Sequence, residues 1–337
     1  MKKFILFAIA VSLLVVGAFL FIDYQAKHSH GATQEERVFE VKKGEGAFDF
    51  ARRLEAEGLV SSRYAFVWHL YQEKKLNAVV AGEYAVSGKL TIPEIAFLIT
   101  EGKTLSKDIR VTFPEGFTMK AMAERLTANR LPGEEFLALG SKPKAEWKQE
   151  FDFLSGLKAG ATLEGYLFPD TYLFAPDAPA ETIVKTMLRT FGKKLDAELR
   201  NQIAASGKSI ATVVTLASII EEEGKSEADR RKISDIFGKR LAVGQPLQSD
   251  ATVNYVLGTS RMQPTFKDIE TDSLYNTYKY AGLPPGPISN PGLISLRAAV
   301  YPESNPYFYF LNNLKTGETI FSKTFEEHVT NRSLHGL

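Results

Sequence analysis

The hydrophobic pattern divides the chain before any motif does. Phe4 to Ile22 carries no charge, and only Ser12 and Gly17 in it are not strongly apolar. At about 1.5 Å per helical residue this run just reaches across a hydrocarbon core of roughly 30 Å. Lys2 and Lys3 precede it and Asp23 follows, so the positive-inside rule places the N-terminus in the cytoplasm and everything after the run outside. A cleaved signal peptide is the alternative, but its apolar region would be shorter and would lead into small residues rather than Phe19-Leu20-Phe21-Ile22. The expectation is a single transmembrane anchor over 1–22.

Residues 23–37 are polar, with His28, His30 and Gly31, and read as a linker. Alternation at Val38-Phe39-Glu40-Val41 predicts a strand, and the spacing from Phe48 to Ala56 predicts a short amphipathic helix closed by Gly58. A helix starting at Ser61, a strand at Glu83–Val86 and a helix from Thr91 to near Gly102 complete a small α+β module over 38–104. Val111 to Gly116 then echoes Val41 to Gly46 in its spacing from Val to Glu-Gly, which suggests a second small module within 105–155. The stretch 133–160 shows no clear period and reads as a boundary or flap. The remainder, 156–337, is the largest domain, so the fold class expected is α+β.

Composition enters as exclusion. With 44% hydrophobic and 24% charged residues the 337-residue chain is a folded one. It has no Cys, which removes thiol nucleophiles and thiolate metal sites, and agrees with an oxidising compartment. The five His (His28, His30, His69, His328, His335) form no metal-ligand or triad spacing, and no glycine-rich phosphate loop is present, so neither a metal nor a cofactor is expected. Charge is balanced, 41 basic against 40 acidic residues, and two of the basic ones flank the anchor. That leaves no electrostatic footprint for nucleic acid. Carboxylate chemistry remains.

One carboxylate cluster stands out. Ser209 to Ile220 is apolar around most of a helical circumference and then runs into Glu221-Glu222-Glu223 and Gly224. Acids at a helix C-terminus oppose the macrodipole, and a local rule broken without visible compensation marks a candidate site. Burial, the dipole and adjacent carboxylates all disfavour ionisation of Glu221, as a general acid for a glycosidic oxygen requires. Ser218 lies on the same helical face and Glu223 nearly opposite, so Glu221 is the candidate catalyst and Glu223 a supporting residue.

Around it, Ser226 and Asp229 form a capping box for a following helix, and Asp250 is placed to cap a short helix that Gly258 ends. Gln248, Asp250, Thr252 and Tyr255, with Asn276 and Tyr278, are candidate walls of the site. Gly282 to Gly292 is a stiff Pro- and Gly-rich loop whose Asn290-Pro291 pair is expected to cap the next helix. Upstream, Glu164, Tyr166 and Asp170 place acids among aromatics, which suits a sugar, although core packing explains Tyr166 and Tyr172 equally well.

Five motifs in order, Leu163 to Tyr172, Leu216 to Glu221, Leu247 to Asp250, Tyr275 to Tyr278, and Gly282 to Ile288 with Asn290 to Gly292, resemble the endolytic murein transglycosylases. The N-terminal anchor and a LysM-like character of the 38–104 region extend the resemblance over nearly the whole chain. It implies cleavage of the β-1,4 bond between N-acetylmuramic acid (MurNAc) and N-acetylglucosamine (GlcNAc) in peptidoglycan, leaving 1,6-anhydroMurNAc ends. The family's catalytic glutamate falls on Glu221 and the second acid of its E-x-E pair on Glu223, with Glu222 where a lysine is common. It further implies an inner-membrane, single-pass enzyme facing the periplasm or cell exterior. Such an enzyme would act on nascent glycan strands, terminating their elongation beside cell-wall synthases (penicillin-binding proteins). A hydrolytic muramidase and a non-enzymatic glycan-binding scaffold are the alternatives.

Overall fold

The computed structural model describes residues 2–28, 30–105, 108–259, 261, 263–313 and 316–335, apart from the side chains of 2–6, 8, 10 and 28. It separates into two compact units, Met1–Lys107 and Asp108–Leu337.

The first unit begins with helix α1 (Lys2–His28). The expected anchor lies along it, although the side chains at 4–6, 8 and 10 fall outside the described residues. Among the described residues no single helix is long and apolar enough to cross a membrane. The helix also runs beyond Ile22 into the stretch expected to be a linker. Phe19 at the end of the apolar run packs edge-on against Trp68 at 5.3 Å, and beyond the run Asp23 accepts a 3.0 Å hydrogen bond from Gln72. These contacts let the polar residues continue the helix.

The rest of this unit follows the sequence pattern. Strand β1 (Arg37–Val41), helices α2 (Ala47–Ala56) and α3 (Arg63–Gln72), strand β2 (Gly82–Val86) and helix α4 (Ile92–Thr100) succeed one another. The two strands pair antiparallel with Phe39 opposite Tyr84. Both aromatics are buried with Phe50, Leu54, Phe66 and Ile95 in the unit's own core. A Thr91–Glu94 capping box starts α4, and Gly58 at φ 71 turns the chain after α2.

The second unit opens with β3 (Ile109–Thr112), α5 (Met119–Ala128), α6 (Gly133–Ser141), the short α7 (Trp147–Glu150) and one 3-10 turn. It continues with β4 (Thr171–Phe174), α8 (Ala180–Lys194), α9 (Ala197–Ala205), α10 (Ile210–Glu223), α11 (Glu227–Ala242), α12 (Asp250–Leu257) and the short α13 (Phe266–Ile269). Helix α14 (Leu293–Val300), hairpin strands β5 (Tyr309–Asn312) and β6 (Thr319–Ser322), and α15 (Phe325–His335) end it.

The segment 105–155 is thus no separate module here. Strand β3 pairs antiparallel with β4, Val111 opposite Tyr172, and both segments share one core. Nor is 133–160 a loose flap, because Trp147 is fully buried and Phe153 stacks on Tyr166. Helix α10 lies at the centre, with Val213 to Ile220 buried and α14 packed along it. Ser209 caps it, accepting a 3.0 Å bond from the Thr212 amide. Its β-branched residues are poor helix formers, so burial on nearly every side is what holds this helix.

Candidate active site

The acidic end of α10 finds its compensation in the next helix. The Ser226–Asp229 capping box starts α11 and turns Arg230 back over the end of α10. There the Arg230 Nη2 donates to Glu221 Oε1 at 2.6 Å and its Nε to the Gly224 carbonyl at 3.2 Å. One guanidinium therefore satisfies a terminal carbonyl and a carboxylate together, supplying the positive charge that α10 lacks in its own last turn. The other Glu221 oxygen accepts the Gly292 amide at 2.9 Å. Gly292 is the N-cap of α14, so this N–H belongs to the positive end of a helix. Glu221 is held on both sides, with its side chain 4% exposed.

A second acid sits beside it. Glu115, in the turn after β3, lies 3.8 Å from Arg230 Nη1, and its side chain is 45% exposed. Partial burial and the neighbouring Glu221 raise its carboxyl above the ordinary range, while Arg230 pulls it back. In the sequence Glu115 stands only within the Val-to-Glu-Gly spacing, and the relation of Arg230 to Glu221 depends on the turn between two helices.

Asn290 fixes the loop that presents Gly292. Its Oδ1 accepts from the amides of Gly165 (2.9 Å) and Leu167 (3.0 Å), and its Nδ2 donates to Glu164 (2.8 Å) and to the Phe117 carbonyl (2.9 Å). Its backbone pairs with Gly116 and Phe117 as well. Asn290 consequently ties three segments together, and the expectation that Asn290-Pro291 caps α14 gives way to Gly292 in that position. Ser218 holds the same loop, accepting from the Ile288 amide at 3.0 Å and donating to the Thr215 carbonyl at 2.8 Å.

Glu164 is buried, accepting from the Met119 amide at 2.9 Å and facing the Tyr255 hydroxyl at 3.5 Å. Burial raises its carboxyl to about 7, against the opposing pull of these donors. Tyr166 points away into the aromatic core with Phe153 and Phe191. Asp170 is exposed and bonds the Thr171 amide.

Glu223 faces the other flank. Ser249 donates to it at 2.6 Å, and burial, with Asp250 and Glu222 nearby, raises its carboxyl to about 7. Asp250 receives the Tyr278 hydroxyl, Thr252 and Thr277 share a 2.9 Å hydroxyl pair, and Asn276 donates to the carbonyls of Ile269 and Thr271. Ser249, rather than Asp250, occupies the N-cap of α12, and Gly258 ends it in the left-handed region. Gln248 is exposed, with φ 52, a conformation that costs a non-glycine residue energy. Among the candidate residues, Ser218 and Glu164 bond the 288–290 loop, with Tyr255 beside Glu164, whereas Asp250 and Tyr278 lie near Glu223, and Gln248, Thr252 and Asn276 hold the backbone and hydroxyls around Thr277 and Thr271.

A nearly buried glutamate gripped by a guanidinium and a helix-start amide, with a half-exposed acid beside it, is the candidate carboxylate site on this α+β scaffold. A model of the YceG-like family matches residues 39–333, and the chain belongs to that family. It is 32% identical over 327 residues to a Bacillus subtilis protein named endolytic murein transglycosylase, covering 94% of this chain and 89% of that protein. A Streptococcus pneumoniae protein of the same name is 27% identical over 321 residues, covering 88% of this chain and 57% of its own length. The crystal structure of a yceG-like protein from Listeria monocytogenes aligns with a TM-score of 0.62 at 35% identity, over 89% of this chain and 100% of that one.

Proposed function

We propose that the chain is an endolytic peptidoglycan transglycosylase that cuts the MurNAc–GlcNAc β-1,4 bond with Glu221 as general acid and base. The observation that carries this is the grip on Glu221 by Arg230 and the Gly292 amide, in a chain of the YceG-like family. Protonated Glu221 gives its proton to the departing GlcNAc oxygen as the C1–O bond breaks. The muramoyl 6-hydroxyl then bonds to C1 and returns its proton to Glu221, leaving a 1,6-anhydro end. Between these steps Glu221 is an anion, and two donors already aimed at its oxygens receive that charge. Water is not a reactant.

The apolar run of α1 serves as a membrane anchor, the 38–104 module as a LysM-like glycan-binding unit, and the site acts on strands near the membrane, beside the synthases that make them. Glu115 is the acid a hydrolase would need to activate water, so hydrolytic cleavage is the competing reading. Substituting Glu221→Gln in the full chain tests the assignment: strand cutting is expected to fall by roughly 10²–10⁴-fold, and retained cutting would remove Glu221 from its role.

A further inference from the structure

Two glycines in the site have ordinary φ and still leave no room for a Cβ. At Gly292 (φ −75) an added Cβ would lie 1.8 Å from Glu115 Oε1. At Gly224 (φ −87) it would lie 2.2 Å from Arg230 Cγ. Neither backbone conformation calls for glycine; the space at Gly224 is taken by the stem of Arg230, and that at Gly292 by the movable carboxylate of Glu115. These two meet each other, and through Arg230 they meet Glu221.

From this we infer that Glu115 and Arg230 are positioning residues: Arg230 pairs with Glu221 while that carboxylate is ionised and shifts onto Glu115 when Glu221 carries the proton. The device solves a problem set by the site. In the proposed reaction Glu221 is a proton donor and an anion in turn, and a second carboxylate within reach of the same guanidinium supplies an alternative partner for it. The Nη2 contact to Glu221 is 2.6 Å and the Nη1 separation from Glu115 is 3.8 Å, so the shift is a small movement of one planar group. Other charges near the pair are Glu222 and Lys225 at the end of α10. Helix α14 contributes the Gly292 amide, and its Arg297 pairs with Asp196 instead.

The enzymatic consequence rests on the transglycosylase reading, whereas the coupling itself can be measured without activity. With isotope-labelled glutamate carboxyl carbons in the full chain, the Glu115 titration is followed by NMR in the wild type, Glu221→Gln and Arg230→Gln. Loss of the neighbouring anion should lower the Glu115 midpoint by on the order of one pH unit, and loss of the guanidinium should raise it by a similar amount. A midpoint that moves in neither variant overturns the proposal. Coupling is reciprocal, so Glu115→Gln should move the alkaline limb of kcat/KM to lower pH, with Glu115→Asp restoring it. A uniform loss at every pH would instead give Glu115 a packing role and overturn the proposal. If the wild type makes no anhydro ends while the Glu115 midpoint moves as expected, the functional reading fails and the coupling stands.

Discussion

At the scale of single residues the site is organised by which acids hold protons. Glu164 keeps its proton to about 7 in the fold against 4.5 ordinarily, because it is buried. Between those values the folded state binds more protons than the unfolded one, so this group makes stability fall as pH rises through the window, by up to roughly 3 kcal/mol. Glu164→Gln mimics the neutral form and can keep its hydrogen bonds to Met119 and Asn290. Its thermal stability should therefore decline less than that of wild type between about pH 5 and about pH 8; an identical decline would show that Glu164 does not titrate there. Glu223, raised for the same reason, leaves part of the slope in place. The misplaced acids and the apolar helix before them single out Glu221 as a candidate in sequence. Arg230 and Glu115 were not legible there, since one approaches by a turn of chain direction and the other from a distant strand end.

At the scale of elements, most helices and strands followed from periodicity and caps. The Ser226–Asp229 box, the Thr91 start of α4 and Gly58 after α2 are local signals, and they fall where the pattern put them. Pairing of β3 with β4 was not legible, because about sixty residues separate them and nothing local encodes the partner. Element ends also carry chemistry here: the C-terminus of α10, the start of α11 and the N-cap of α14 converge on one carboxylate. Gly224→Ala tests that convergence. Its methyl group would displace Arg230, so cutting should fall at least about tenfold with a stability loss of roughly 1–3 kcal/mol. Initial rates and thermal unfolding read both, and full activity would mean that the arginine need not sit where it does.

At the scale of the whole molecule, two units each carry their own core. The family match from residue 39 to 333 spans both. The elements of the first unit were readable from sequence except for the extension of α1 to His28, because each follows local periodicity and caps, although the pairing of β1 with β2 joins distant segments. The second was divided too finely, because its core joins Val111 to Leu296 across the chain. The central claim, that one carboxylate closes a sugar on itself rather than admitting water, is decided by the products. Purified glycan strands incubated with the full chain should give fragments whose new MurNAc ends are one water lighter than hydrolysed ends and lack reducing character, and Glu221→Gln should form them roughly 10²–10⁴-fold more slowly. New ends with ordinary reducing sugars would contradict the account and point to Glu115 as the base for an attacking water.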